Sequence, residues 1–180
     1  MRRAVFLDRD GTISRTAVRD GRPHAPTCLE EFAILPEAPE QLRRLRDAGL
    51  LLIVVTNQPD VARGKVARDD VETMHRRLKA ELFVDDVEAC YETEDEGSGR
   101  YKPAPGMLLD AARRHGVALD ASFMIGDRWR DVGAGRAAGC YSVFIDRGYR
   151  ERKPDSPDAV VGSLTEAVDR VLSIANRSPA

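Results

Sequence analysis

What constrains this chain most is a pattern that recurs along it: a short apolar run stops abruptly at polar residues, and a helical stretch follows. Ala4-Val5-Phe6-Leu7 stops at Asp8, Leu50 to Val55 stops at Thr56-Asn57-Gln58, and Ser122 to Ile125 stops at Gly126-Asp127. Apolar runs without polar alternation mark strands covered on both faces, as in parallel sheets. Val87 to Tyr91, Tyr141 to Ile145 and Asp158 to Val161 read as further strands. The helical stretches are Pro36 to Ala48, Arg68 to Phe83, one opened by Lys102-Pro103-Ala104-Pro105-Gly106 and running to His115, a segment from near Asp131 to Gly139, and Leu164 to Ile174. Gly49, Gly116 and Gly139 stand where helices of this kind end. Strands alternating with helices predict an α/β fold, a three-layer Rossmann-like domain around a central parallel sheet. In such a sheet the ligand crevice lies beyond the carboxyl ends of the strands, which is where each polar cluster stands. Residues 1–180 read as one domain without internal repeats.

The first of these ends, Asp8-Arg9-Asp10-Gly11-Thr12, carries two acids. In extended backbone, residues two apart point the same way, so the carboxylates of Asp8 and Asp10 are expected to converge. Adjacent carboxylates raise each other's pKa unless a cation sits between them, and an all-oxygen ligand set suits Mg²⁺. Ile13 to Leu35 has no sustained period and reads as a long loop folded over this pair. The acidic stretch Glu92 to Gly99 reads as a mobile loop. His24 is expected at the surface or in packing. His75 is expected with Lys79 away from the apolar stripe Val71, Met74, Leu78 and Leu82.

With 32% charged residues and a formal net charge of -2, the chain has no bulk attraction to nucleic acid or to an anionic membrane. No stretch is long and apolar enough to span a membrane, and the start reads as a strand, not a signal peptide. Cys28, Cys90 and Cys140 are odd in number and scattered, which fits a reducing compartment; the expected location is cytoplasmic.

Four motifs in order, Asp8-x-Asp10-Gly11-Thr12, Thr56-Asn57, Lys102-Pro103 and Gly126-Asp127-x-x-x-Asp131, resemble those of the haloacid dehalogenase (HAD) superfamily of phosphotransferases. The resemblance implies that Asp8 is a nucleophile forming an aspartyl-phosphate and that Asp10 is first general acid, then general base. It implies that Thr56, the backbone N–H of Asn57, and Lys102 (a positive charge at a helix start) contact phosphoryl oxygens. It also implies Mg²⁺ held by the Asp8 carboxylate, the Asp10 backbone carbonyl and the Asp127 carboxylate, with Asp131 in support, directly or through water. The intervals between motifs leave no room for a cap domain, which favours hydrolysis over transfer.

Finer features, Phe6 to Ile13, Thr56-Asn57-Gln58 with Ala62-Arg63-Gly64, and Lys102 to Met107, resemble the capless branch that holds heptose-bisphosphate 7-phosphatases and histidinol-phosphatases. That branch carries a zinc loop before the lysine. Here Cys90 occupies the first ligand position, Glu92 replaces a histidine, and no cysteine lies between Tyr91 and Lys102. One thiol cannot hold a four-coordinate zinc, so no zinc is expected. By the same likeness the substrate-contact candidates are Asn57, Arg63, Tyr101 (with Arg100 one step earlier) and Arg128, while Trp129 stacks on a ligand or packs. The expectation is a Mg²⁺-dependent phosphomonoesterase for a small phosphorylated sugar, a heptose bisphosphate first. Histidinol phosphate, a nucleic-acid end or a non-catalytic phosphate-binding module are the alternatives. A monomer without a nucleic-acid partner is the default.

Overall fold

Ala4–Leu7, all four side chains fully buried, form β1 at the middle of a parallel sheet in the computed structural model, which describes residues 1–176. The elements that follow are β2 (Ala17–Arg19), β3 (Arg22–His24), α1 (Ala38–Asp47), β4 (Leu51–Asn57), α2 (Arg68–Leu82) and β5 (Asp86–Cys90). Then come α3 (Gly106–His115), β6 (Phe123–Gly126), α4 (Trp129–Ala138), β7 (Tyr141–Ile145), β8 (Ala159–Val161) and α5 (Leu164–Ala175). The large sheet has the order β5-β4-β1-β6-β7-β8, and every pair in it is parallel. The chain therefore builds outward from β1 to β5, crosses back to β6, and builds outward the other way. Where the direction reverses, between β1 and β6, the loops part and leave a crevice.

Strand periodicity divides the core in two. Val5 and Leu7 of β1 point toward Leu42 and Leu45 of α1, Met74 and Leu78 of α2, and Leu164 and Val168 of α5. Ala4 and Phe6 point the other way, toward Met107, Leu108 and Ala111 of α3 and Ala134 of α4. Leu52 and Val54 of β4 join the first layer, and Leu51, Ile53 and Val55 join the second. Each fully buried aliphatic side chain of this kind contributes roughly 1.5–3 kcal/mol, so the strand ends are anchored on both faces. Among the described residues no separate cap is present, and no helix is long and apolar enough to cross a membrane.

Four expectations change. The loop from Ile13 to Leu35 contains an antiparallel hairpin, β2 with β3, short enough that its mostly exposed residues give no periodic signal. The acidic stretch holds a single 3-10 turn, Glu94–Glu96, in which Thr93 and Glu96 cap each other. Helix α2 stops at Leu82 because Phe83 takes a left-handed conformation (φ 52°).

His75 is the fourth. It is buried, because the Arg9 guanidinium reaches across to it with Nη1 at 3.1 Å from Nε2. Arginine only donates, so Nε2 accepts, the ring is neutral, and its proton sits on Nδ1, 3.8 Å from Glu72 Oε2. Burial, with Arg9 adding to it, pushes the His75 pKa down to about 4, against weaker upward pulls from Glu72 and Asp10. Between the ordinary histidine value and about 4 the unfolded chain binds the extra proton, so stability falls as pH drops through that window. His75→Gln keeps an acceptor for Arg9 and cannot titrate. In urea melts at pH 7 and pH 4, the unaltered protein should lose up to about 3 kcal/mol more than this variant. Equal losses would show that the ring is not held neutral by the fold.

Candidate active site

Beyond Leu7 the chain leaves extended geometry at once. The Arg9 carbonyl accepts the N–H groups of Ile13 and Ser14, both at 3.0 Å, and closes a tight loop. Gly11 sits in that loop with φ +89°, and a Cβ there would lie 1.9 Å from Asp127 Oδ2. Only glycine lets the loop after β1 close onto the loop after β6. Gly126 makes the matching approach on the other side, since a Cβ there would lie 2.2 Å from the Asp131 Cβ.

This closeness assembles three buried acids. Asp8 follows β1, Asp127 follows β6, and Asp131 lies in the first turn of α4. Each offers a carboxylate oxygen, and these oxygens all lie within 4.8 Å of one another. A buried ammonium bonds two of them. Lys102 is 2% exposed and donates to Asp8 Oδ1 (2.6 Å), Asp131 Oδ1 (2.6 Å) and the Val55 carbonyl (2.8 Å). Asn57, at the end of β4, holds Lys102 in place through two bonds, from Lys102 N to its Oδ1 (3.0 Å) and from its Nδ2 to the Lys102 carbonyl (3.1 Å). The lysine stands before α3, which begins at Gly106, so it is a buried ammonium rather than a charge at a helix end.

One ammonium does not neutralise three carboxylates. Burial pushes Asp8 up to about 7, with the Asp131 charge adding to the rise and Lys102 opposing it. Burial also holds Asp127 well above the usual carboxylate range, helped by Asp8 and Asp131. Burial works against the charge on Lys102, yet Asp131 and Asp8 outweigh it and keep its pKa above that of a free lysine. Tyr149 Oη donates to Asp127 Oδ2 at 2.8 Å, while Asp127 Oδ1 is buried with no hydrogen-bond partner. An orphaned buried acceptor costs about 1–3 kcal/mol. A cation between Asp8 and Asp127 would satisfy that oxygen and relieve the repulsion. With oxygen as the only donor type, a hard ion such as Mg²⁺ fits.

Asp10 takes a different course. Its carboxylate is gripped by Arg9, with Nε at 3.0 and 3.1 Å from the two oxygens and Nη2 at 2.8 Å from Oδ2. Ser14 Oγ (3.1 Å) and Gln58 Nε2 (3.0 Å) donate to it as well. The simple convergence expected of Asp8 and Asp10 is thus corrected: the turn at Arg9 sends the two carboxylates to separate partners, and the main like charge on Asp8 is Asp131. Both still line one cleft, with Thr56, Asn57, Lys102 and Arg128. Thr56 Oγ1 accepts from Gln58 Nε2 at 2.9 Å, which leaves its own O–H to donate into the cleft. Thr16, Pro23 and Ala25, in and beside the hairpin, form one wall, and Arg130 borders the opening.

The remaining candidates divide. Arg128 lines the cleft, its side chain braced by Glu151 (2.9 and 2.6 Å) and its N–H donating to Asp131 Oδ2 (2.9 Å). Arg63 does not line it: exposed, it pairs with Asp60 at 3.1 Å on the turn after β4. Tyr101 does not either, because its ring packs against the core on the α3 side beneath Arg130 (5.7 Å). Trp129 is stacked between the guanidinium groups of Arg130 (4.4 Å) and Arg152 (4.7 Å), which is packing. His24 is exposed. Residues unforeseen at the site are Arg9, Gln58, Tyr149 and Arg130. A basic residue between two acids at a buried strand end was a usable signal for Arg9, whereas Tyr149 arrives from a distant loop with no local mark.

Comparison with known proteins follows the same lines. A HAD hydrolase-like family model matches residues 100–167. The D-glycero-D-manno-heptose-1,7-bisphosphate 7-phosphatase of Thermosynechococcus vestitus is 31% identical over 195 residues, covering 96% of each chain. The D-glycero-β-D-manno-heptose-1,7-bisphosphate 7-phosphatase of Rhodopseudomonas palustris is 37% identical over 150 residues, covering 77% of this chain and 80% of that one. Among solved structures, the D,D-heptose 1,7-bisphosphate phosphatase from B. bronchiseptica, complexed with magnesium and phosphate, superposes with a TM-score of 0.82. It is 27% identical, with 95% of this chain and 98% of that chain covered. The three buried acids, their single lysine and this likeness over nearly the whole length lead to one conclusion: the chain is a phosphatase, and it belongs to the HAD-like hydrolase family that contains the heptose-1,7-bisphosphate 7-phosphatases.

Proposed function

We propose that this phosphatase hydrolyses a phosphate monoester of a small sugar, D-glycero-D-manno-heptose 1,7-bisphosphate at its 7-phosphate, through a phosphorylated Asp8. The observation that carries the reading is the orphaned, buried Asp127 Oδ1 close to the Asp8 carboxylate, which Lys102 holds and which lines one cleft with Asp10. Asp8, Asp127 and the Asp10 backbone carbonyl would hold Mg²⁺, which when bound neutralises phosphoryl charge and keeps the Asp8 carboxylate ionised. Lys102 holds Asp8 Oδ1, so Oδ2 is free to attack.

In the first step an Asp8 oxygen bonds to phosphorus, the ester P–O bond breaks, and the departing sugar oxygen takes a proton from Asp10. In the second, water attacks the same phosphorus and gives a proton to the Asp10 carboxylate, while the bond to Asp8 breaks and inorganic phosphate leaves. The Thr56 hydroxyl, the Asn57 N–H and Lys102 face the phosphoryl oxygens, where negative charge must be offset. Both oxygens of Asp131 are already occupied, one by Lys102 and one by the Arg128 N–H, so its role is to position that lysine and the start of α4. Arg128 faces the remainder of the substrate. Arg63 and Tyr101 stand outside the cleft and receive no role.

The lack of a second thiol near Cys90 supports a protein without zinc, and elemental analysis of the purified protein should find none. Cys28, Cys90 and Cys140, all free, support a cytoplasmic place of action. Mixed surface charge supports a small-molecule substrate rather than a nucleic acid, with a monomer as the working form.

Asp8→Asn should lower phosphate release from p-nitrophenyl phosphate by about 10³-fold or more; retained activity would remove the covalent step. A kcat/KM panel of heptose 1,7-bisphosphate in both anomers, histidinol phosphate and a 3′-phosphorylated oligonucleotide should rank the heptose first. If histidinol phosphate leads, the chemistry stands and the substrate assignment fails.

Metal binding has its own readout. Tyr149→Phe deletes the donor that orients Asp127, and calorimetry should show Mg²⁺ binding weakened by roughly 10–100-fold. Unchanged affinity would show that Asp127 is oriented without the tyrosine.

A further inference from the structure

Among the described residues Arg9 is the largest side chain with no exposed surface, and the reaction above gives it no task. Burying a guanidinium is costly unless its donors are matched, and here they are matched on two sides. Toward the cleft, Nε and Nη2 form a fork on the two oxygens of Asp10 (3.0, 3.1 and 2.8 Å). Away from it, Nη1 donates to neutral His75 at 3.1 Å. The face of the guanidinium lies over the Phe32 ring, 5.5 Å from its centroid. Phe32 is itself held by Arg77, which lies over its ring (6.0 Å) and donates to its carbonyl (3.1 Å).

The consequence is geometric. A fork fixes the plane of a carboxylate, whereas a single-point donor fixes only one atom. Ser14 Oγ occupies a further site on Asp10 Oδ1, and Gln58 Nε2 a further site on Oδ2. The Asp10 side chain is thereby fixed in both position and orientation, and two of its contacts, those of Ser14 and Gln58, are neutral donors that can yield to a substrate oxygen. We propose that Arg9, locked by His75 and Phe32, is a positioning residue for Asp10, setting the orientation from which that carboxyl exchanges a proton with the sugar oxygen. This rests on the assignment of Asp10 as acid and base made above. Arg9 touches neither substrate nor metal in this scheme and acts only through its neighbour.

A residue that merely stabilised the fold would lower all activities in proportion. A residue that aims the acid affects most the substrates that need one. The test therefore compares kcat/KM, which reports formation of the phosphorylated enzyme, for two esters with Mg²⁺ saturating. p-Nitrophenyl phosphate has a leaving oxygen that departs without a proton, and glycerol 1-phosphate has one that does not. Arg9→Met is expected to lose about 10²-fold on the alkyl ester and well under roughly 10-fold on the aryl ester. Asp10→Asn serves as the reference and should show the same bias, more strongly. Arg9→Lys keeps the buried charge, gives up the fork, and covers the case in which Arg9→Met fails to fold; it should retain the bias at reduced size.

The outcomes separate. If Asp10→Asn is biased while Arg9→Met and Arg9→Lys lose both activities in equal proportion, or lose neither, the positioning role is overturned and the assignment of Asp10 survives. If Asp10→Asn itself shows no bias, the assignment falls and the positioning role with it.

Discussion

The structure depends on how one buried ammonium meets three buried carboxylates. Lys102 satisfies one oxygen of Asp8 and one of Asp131, and its third proton closes on a strand carbonyl. Breaking such a buried pair by removing one partner costs several kcal/mol, because the survivor is left charged in a poor dielectric. The cluster nevertheless remains short of positive charge. That shortage lifts Asp8 and Asp127 above ordinary acids and leaves an Asp127 oxygen without a donor. The buried acids are therefore short of positive charge, and a divalent cation would offset that shortage.

The sheet is what makes such crowding possible. Asp8 and Asp127 follow β1 and β6, and Thr56 lies near the end of β4 between β1 and β5, with the pairings of these neighbouring strands setting their ends level. Leu7 sits opposite both Val54 and Ile125, so the residues just beyond come together without further choice. Core side chains on both faces hold these registers, and Gly11 and Gly126 remove the last obstacles to contact. Repulsion among the acids is thus opposed by packing energy gathered elsewhere in the molecule.

Much of this could be read from the sequence, because strand ends are local features. Apolar runs without alternation gave the parallel sheet, and the residues that halted them gave Asp8, Thr56, Asn57 and Asp127. What escaped was set by reach, not by position. His75 reads as a solvent-facing helix residue because periodicity cannot know that an arginine from the loop after β1 arrives beneath it. Tyr149 finds Asp127 across the loop after β7, a contact no spacing encodes. Arg63 and Tyr101 sit near motif residues in the chain and away from the cleft in space, since one follows an outward turn and the other packs inward. The side chains of Asp8 and Asp10 take different partners because the chain turns sharply at Arg9 instead of staying extended past the strand.

The hairpin β2–β3 stands apart from all of this. It pairs only with itself, belongs to neither core layer, and meets the rest of the protein at few points, among them the Arg150 N–H bonded to the Gly21 carbonyl (2.7 Å). Yet it and its flanks supply Thr16, Pro23 and Ala25 to the cleft wall. Alterations there can reshape what the cleft admits while leaving the acids and their lysine undisturbed. Part of the cleft wall thus belongs to an element that shares no core with the acids and their lysine, so the two can be altered separately.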